Sequence, residues 1–337
     1  MSEQQVASPK QRIGEYLTWE VESVGTPWSL QSRSKKWPTC KPGQVLVETA
    51  FSALNFADGL MLEGKYQVRP SLPFVPGHEF AGTVLESADT AALPVGSRVA
   101  AQVPYGALGG CVTIDIARCA LVPDALTLDL AAASLVSYTT AYVAIHGKAN
   151  IQPGQTLLVH AAAGGLGAAV VQLAKVAGAR VIGVVGSEVK RAAALEAGCD
   201  HVLLSSEDWP AAVQTITGGG GIHAALDSVG GDATLKSLKL LAWGGTLLIV
   251  GFSSGDITSI PVNRLLLKAQ NVMGVYWSYE INPVETMDLQ ARVLELVAAG
   301  KVKPAVDSVF PAAQLEAALE IVMKGRSRGK VLVQWQK

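Results

Sequence analysis

Thr156-Leu-Leu-Val-His-Ala-Ala-Ala-Gly-Gly-Leu-Gly167, with a helical pattern over 166–177, decides the fold. The short apolar run 156–159 reads as a buried parallel strand. A small-residue loop turns sharply after it, and the helix begins at once. Such a strand–turn–helix offers backbone N–H groups and a helix dipole to a phosphate. The spacing Ala162-x-Gly164-x-x-Gly167 is a Gly-x-Gly-x-x-Gly fingerprint with alanine in place of its first glycine. Gly164 lets the backbone approach a pyrophosphate, and Gly167 lets the helix pack closely on its strand. Gly165 and Leu166 complete the expected cofactor loop. An ordinary buried turn is the competing reading, and the strand before and helix after the loop weigh against it.

The next strand, expected over 180–185, selects the dinucleotide. NAD-binding versions carry an acidic residue near its end, roughly 20 residues past the glycines, on the ribose 2′-OH. Here that position is Gly186. Ser187, Lys190 and Arg191 lie just beyond it, at the start of the next helix. A hydroxyl and two cations at a helix N-terminus suit a phosphate dianion. The expected cofactor is therefore NADPH. Glu188 fits this reading only if its side chain points away. A solvated helix face is the alternative for the two cations.

Composition sets the frame around this motif. The 337 residues are 49% hydrophobic and 16% charged, enough for two domains and a large core. A formal net charge of −1 gives no electrostatic reason to expect nucleic acid or an anionic membrane as partner. Cys40, Cys111, Cys119 and Cys199 are widely spaced, with no metal-binding pair and no disulfide framework, which suits a reducing, cytoplasmic setting. Residues 1–12 lack the apolar segment of a secretory signal. The longest charge-free stretch, 151–174, is broken by Pro153-Gly154 and the glycine loop, so no membrane span is expected.

Residues 1–15 read as a flexible tail. From about 20 to 120, short alternating strands and frequent turns describe a β-rich module, with strands over 44–50, 79–85 and 97–103. Residues 128–143 are alanine-rich and helical. Strands at 156–160, 180–185, 201–203, 222–227, 245–250 and 272–276 then alternate with helices at 166–177, 188–197 and 231–241. This alternation implies a doubly wound parallel sheet. Helices over 284–299 and 312–323 and a strand over 330–335 close the chain.

Asn55-Phe-Ala-Asp58, Gly64-Lys-Tyr66, Pro73-Phe-Val-Pro-Gly-His-Glu79 and Tyr138-Thr-Thr-Ala-Tyr142 precede the glycine loop. Asp227-Ser-Val-Gly-Gly231, Gly251-Phe-Ser-Ser-Gly255 and Gly329-Lys-Val331 follow it. In this order and spacing they resemble the zinc-independent quinone oxidoreductase (zeta-crystallin-like) branch of the medium-chain dehydrogenase/reductases, over nearly the whole chain. The resemblance implies an α/β protein with two domains. A GroES-like β-barrel catalytic domain takes 1–136 and 279–337, and a doubly wound Rossmann NADPH-binding domain takes 137–278. The active cleft is expected between them. Homodimers joined through nucleotide-domain edge strands, here near 271–277, are also implied.

Zinc members of the family use a cysteine, the histidine of Gly-His-Glu and a later cysteine or acid. This chain keeps Gly77-His78-Glu79, but Asn55 stands at the first position and the later one falls near Val136. A catalytic zinc normally needs three protein ligands, so none is expected. His78 is expected to be packed or hydrogen-bonded at a barrel corner.

Without a metal, hydrogen bonding must stabilise the charge that develops when a hydride reaches a carbon conjugated with a carbonyl. One well-placed donor is worth about 3 kcal/mol. Tyr66 is the first candidate, at a position that resembles the catalytic tyrosine of enoyl-thioester reductases; lining the cleft for shape is its alternative role. Asn55 is the second, able to orient the nicotinamide ribose or the substrate carbonyl, or simply to cap a helix beginning at Phe56. Asp58 reads as structural. On the cofactor side the expected contacts are Thr140, Val229, Phe252, Ser253 and Lys330, with Ser254 as a further donor. Tyr276 and Trp277 shape the substrate pocket or pack an edge strand. Many relatives carry a tyrosine near Ser205 that holds the adenosine phosphate; its absence here leaves Lys190, Arg191 and Ser205 to do more.

The leading expectation is an NADPH-dependent reductase of quinones or α,β-unsaturated carbonyl compounds. A 2-enoyl-thioester (enoyl-CoA or ACP) reductase is the enzymatic alternative, favoured by Tyr66. A non-catalytic NADPH-binding protein, crystallin-like or RNA-binding, is the third; the near-neutral charge gives RNA binding no support.

Overall fold

The computed structural model describes residues 14–335. The signal-peptide reading of 1–12 and all but the last two residues of the expected tail lie outside the described residues. Strands β1 (Glu15–Ser23) and β2 (Ser29–Lys36) pair antiparallel as a two-stranded sheet. β3 (Gln44–Ala53) follows the Pro42-Gly43 turn and leads through helix α1 (Phe56–Leu62) to β4 (Glu79–Ser87), β5 (Arg98–Gln102), β6 (Cys111–Asp115), β7 (Ala120–Leu121) and α2 (Leu128–Ala132). Alternating side chains of these strands bury Val45, Val47, Phe80, Val84, Val99 and Val112 in one core.

Helix α3 (Leu135–Tyr142) opens the second part. It is followed by β8 (Thr156–His160), α4 (Gly165–Val176), β9 (Arg180–Val185), α5 (Glu188–Glu196), β10 (His201–Leu204), α6 (Trp209–Ile216) and β11 (Ile222–Asp227). Next come α7 (Asp232–Leu240), β12 (Leu241–Ile249), α8 (Asn263–Leu267), β13 (Asn271–Gly274) and α9 (Pro283–Ala298). The strands form one six-stranded sheet in the order β10-β9-β8-β11-β12-β13, every pair parallel. β8 is buried along its whole length, as a central parallel strand must be. The order reverses between β8 and β11, the place where open α/β sheets bind ligands at the strands' carboxyl ends.

β14 (Val306–Pro311), α10 (Leu315–Met323) and β15 (Lys330–Gln334) end the chain. β15 pairs antiparallel with β3, Leu332 opposite Ala53, in a sheet ordered β14-β15-β3-β4-β5-β7 with β6 also on β3.

Two compact units result. One holds the residues up to Ala132, Val309–Glu320 and the chain from Leu332 onward; the other holds Ala133–Ser308 and Ile321–Val331. Residues 279–308, expected with the barrel, thus pack with the second unit. The reason is local: α9 packs on α3, and Gln172 of α4 exchanges hydrogen bonds with the backbone of Lys303 at 2.7 and 2.8 Å. The helical stretch over 128–143 is interrupted for the same reason. α2 packs on β3, β4 and β5, whereas α3 packs on α4 and α9, so the chain changes partners at Ala133-Ser134.

Other elements differ from the sequence expectation. α6 was not foreseen, although Asp208 accepts from Ala211 N at 3.2 Å and Pro210 sits in its first turn, both N-terminal signals. β12 begins at Leu241 rather than 245. β13 ends at Gly274, so Tyr276 and Trp277 lie beyond the edge strand. Among the described residues no helix is long and apolar enough to cross a membrane.

Candidate functional site

The glycine loop joins β8 to α4. Ala161 adopts the left-handed region at φ 51°, a conformation held by the turn itself. Gly164 is extended at the N-cap of α4, and its carbonyl accepts from Ala168 N at 2.8 Å. A Cβ at Gly167 would lie 2.2 Å from Ala161 O, so this position admits only glycine without movement of the loop. The alanine in place of the first fingerprint glycine is accommodated across the sheet. Its neighbour on β9 is Gly183, where a Cβ would meet that of Ala162 at 2.8 Å. Lys330 joins this loop from the far end of the chain. It is 4% exposed, and its Cδ lies 2.6 Å from where a Cβ would stand on Gly165.

At the carboxyl end of β9, Gly186 has nothing within 4 Å of a would-be Cβ. Ser187 caps α5 with extended backbone and makes no side-chain cap bond. Lys190 donates to Gly325 O at 2.5 Å, and burial pulls its ammonium below the ordinary lysine range. Arg191 departs from expectation. Glu188 does not point away but binds Arg191 at 2.8 and 3.1 Å, Val202 O accepts from Nη1, and Glu207 lies 3.8 Å from Nη2. These acceptors hold the guanidinium against β10, away from the role of a free phosphate ligand. Ser205 is exposed, its N–H bound to Val185 O at 2.9 Å.

One open cavity collects Ser187 and Lys190 with Asp307, Arg326 and Arg328, residues the sequence reading did not single out. Their signal was the basic run Gly325-Arg-Ser-Arg328, placed immediately before the Gly329-Lys330 motif.

The loops after β11 and β12 complete the sheet's carboxyl edge. Asp227 is buried, and its Oδ1 accepts from Val229 N and Gly230 N, both at 2.9 Å, while Thr234 donates to Oδ2. Val229 O is in turn taken by Ser254 through N at 3.0 Å and Oγ at 2.7 Å, so the Ser254 hydroxyl serves the loop. Ser253 N donates to Ser228 O at 3.0 Å, and Phe252 is 39% exposed beside them. Thr140 donates to Val136 O at 2.6 Å and accepts from Trp277 Nε1 at 2.9 Å. Below the edge, His160 Nε2 pairs with Ser237 Oγ at 2.7 Å, and burial depresses its pKa to about 4 despite Asp227 nearby.

Tyr66 and Asn55 belong to the first unit. The Tyr66 ring meets His78 edge to face, centroids 5.1 Å apart. His78 is buried with Nδ1–H donating to the fully buried Asp58, and its Nε2 has no hydrogen-bond partner among the described residues. Asp58 also accepts from Asn55 N at 2.7 Å, which fixes the start of α1. The Asn55 amide donates to Glu79 Oε1 at 2.9 Å and to Ala53 O at 3.2 Å. Asn55 offers no thiolate beside His78, and among the described residues no three His, Cys, Asp or Glu side chains converge.

Residues 41–124 match the alcohol dehydrogenase GroES-like domain family, and 165–284 match the zinc-binding dehydrogenase family. The chain is 38% identical over 297 residues to quinone oxidoreductase-like protein 2 of Rattus norvegicus, covering 87% of this chain and 85% of the relative. It is 31% identical over 323 residues to the human synaptic vesicle membrane protein VAT-1 homolog, 90% of this chain and 82% of that one. Escherichia coli quinone oxidoreductase complexed with NADPH superposes with a TM-score of 0.85 at 30% identity, over 94% of this chain and 99% of that one. Fold, motif order and these likenesses agree: the chain belongs to the quinone oxidoreductase branch of the medium-chain dehydrogenase/reductase family.

Proposed function

We propose that the protein is an NADPH-dependent oxidoreductase that reduces quinones or α,β-unsaturated carbonyl compounds without zinc. The observation that carries the reading is the end of β9. Open space stands at Gly186 where NAD-binding sheets place a carboxylate, and Ser187 and Lys190 share a cavity beside it. The NADPH complex of the E. coli relative supports the same cofactor.

NADPH supplies the hydride when bound. The chain's own groups bind and orient it. The N–H groups around Gly164, Gly165, Leu166 and Gly167 take the pyrophosphate, and Ser187, Lys190 and Ser205 face the 2′-phosphate. Thr140, Val229, Phe252, Ser253 and Lys330 frame the remainder of the cofactor. Tyr66 donates its phenolic O–H to the substrate oxygen as negative charge gathers there. Asn55 steadies that region through Asp58 and Glu79 rather than acting on substrate through an uncommitted amide. A homodimer through the exposed edge of β13 and a reducing, cytoplasmic compartment suit the reading; all four cysteines are free thiols.

The test is NADPH consumption, followed by the loss of nicotinamide absorbance, with 1,2-naphthoquinone, a simple enone and an enoyl-CoA in parallel. Preferential turnover of the quinone or enone supports the proposal. Preference for enoyl-CoA replaces it with a thioester reductase, and cofactor binding without turnover replaces it with a binding protein.

A further inference from the structure

The segment after β13 carries an inference that rests on the NADPH-dependent reductase reading and deepens it. The sheet order puts the turn after β9 and the segment after β13 on opposite sides of β8, whose end carries the glycine loop. A dinucleotide with its pyrophosphate on that loop and its adenosine over β9 therefore extends its nicotinamide half toward β11, β12 and β13. Helix α3 borders the same loop. Ser137 Oγ lies 3.5 Å from where a Cβ would stand on Gly165, and Thr140 is about one turn further along the helix. β13 pairs with β12 as far as Gly274, and Val275 N still donates to Ile249 O at 2.9 Å. Two residues on, the half-buried Trp277 donates from Nε1 to Thr140 Oγ1 at 2.9 Å. Both residues belong to the nucleotide-binding unit. Thr140 gives its own proton to Val136 O at 2.6 Å. A threonine hydroxyl has one proton and two lone pairs. With the proton held by α3 and one lone pair taken by the indole, a single lone pair remains. Thr140 can therefore meet the cofactor only as an acceptor, which excludes the phosphate oxygens. The donors of the nicotinamide half are its carboxamide N–H groups and its ribose hydroxyls.

We propose that Trp277 is a positioning residue for hydride transfer that acts through Thr140. Its indole N–H fixes which lone pair of the hydroxyl is left for the nicotinamide half. The same bond seats residues 275–282, the link from β13 to α9, on α3. Trp277 thereby orients the ring's neighbour rather than the ring itself, and its effect falls on alignment, where a small misplacement of the reacting group costs rate.

The test compares the full chain with Trp277→Phe, which keeps an aromatic ring and loses the N–H. In calorimetric titration NADPH is expected to bind roughly two- to tenfold more weakly, the scale of one hydrogen bond, and 2′,5′-ADP to bind as before. In turnover of a quinone or enone, kcat is expected to fall about tenfold. The isotope effect with NADPH carrying deuterium at the transferred position rises with it, because hydride transfer becomes the slow step. Thr140→Val shows the same losses, Thr140→Ser recovers most of them by keeping the hydroxyl, and the double variant Trp277→Phe/Thr140→Val is no worse than Thr140→Val alone. Losses that simply add in the double variant, or an isotope effect unmoved in Trp277→Phe, overturn the proposal and leave the indole as a packing group. Equal weakening of NADPH and 2′,5′-ADP overturns it as well, since the whole unit is then disturbed. A wild-type chain that turns over no acceptor, or binds neither ligand, overturns the reductase reading itself and the role of Trp277 with it.

Discussion

Tyr66 shows how a side chain's neighbours decide what it can do. Its ring is half-buried and braced edge-on by His78, and His78 is braced in turn by Asp58. Such packing fixes an aromatic plane while leaving the hydroxyl as the polar end. If that hydroxyl stabilises developing charge, Tyr66→Phe lowers kcat about 100-fold, the usual scale for one donor. The fluorescence-measured NADPH Kd is expected to stay the same, because the proposed cofactor contacts belong to other residues. Unchanged kcat would reduce Tyr66 to a cleft lining. Tyr66 was legible as a candidate from its motif. The commitment of Asn55 was not, since nothing in the spacing of residues 55 and 79 announces a 2.9 Å bond between their side chains.

The turn from β9 to α5 is the element proposed to set cofactor choice. Gly186 has open space on its Cβ side and a φ outside the left-handed region, so aspartate fits there without strain. Gly186→Asp is expected to weaken NADPH at least about tenfold through repulsion of the phosphate and to strengthen NADH through the ribose hydroxyl. Initial-rate kinetics with both cofactors reads the switch, and an unchanged ratio would separate this turn from the adenosine site. The end of β8 carries a different consequence. Buried His160 stays neutral in the folded chain well below its ordinary 6.5, whereas the unfolded chain takes up a proton there. The folded state therefore has its full stability from this group above about pH 6.5 and loses it progressively as pH falls toward about 4. Thermal unfolding across that window should fall more steeply for the wild type than for His160→Gln. Parallel slopes would show that acid sensitivity arises elsewhere.

At the scale of the molecule, the nucleotide-binding unit leaves an apolar surface beside its sheet edge. Leu266 and Leu267 of α8 are 81% and 72% exposed, and Val262 just before them is 76% exposed. Aliphatic side chains grouped in this way mark an interaction surface more often than a solvated one. The expected occupant is a second copy of the chain, and Leu266→Glu should convert a dimer to a monomer in light scattering with the Tm little changed. A dimer that survives the substitution places the interface elsewhere, and a monomeric wild type removes the dimer altogether.

The sequence by itself determined the central strand, the glycine loop and the alternation that builds the parallel sheet. β8, β9 and β11 span the expected 156–160, 180–185 and 222–227, because a buried strand needs a mostly apolar core and a tight turn needs small residues. These are local demands, written in adjacent positions. Only the tertiary structure decided which partners the cations take. Arg191 follows Lys190 directly in the chain, yet one is paired with Glu188 and the backbone of β10 and the other lines a cavity with Arg328. Tertiary packing also returned 321–331 to the nucleotide-binding unit while the strand continues from Leu332 in the other. Side chains more than a hundred positions apart meet through long-range packing, and no local period or propensity encodes that meeting.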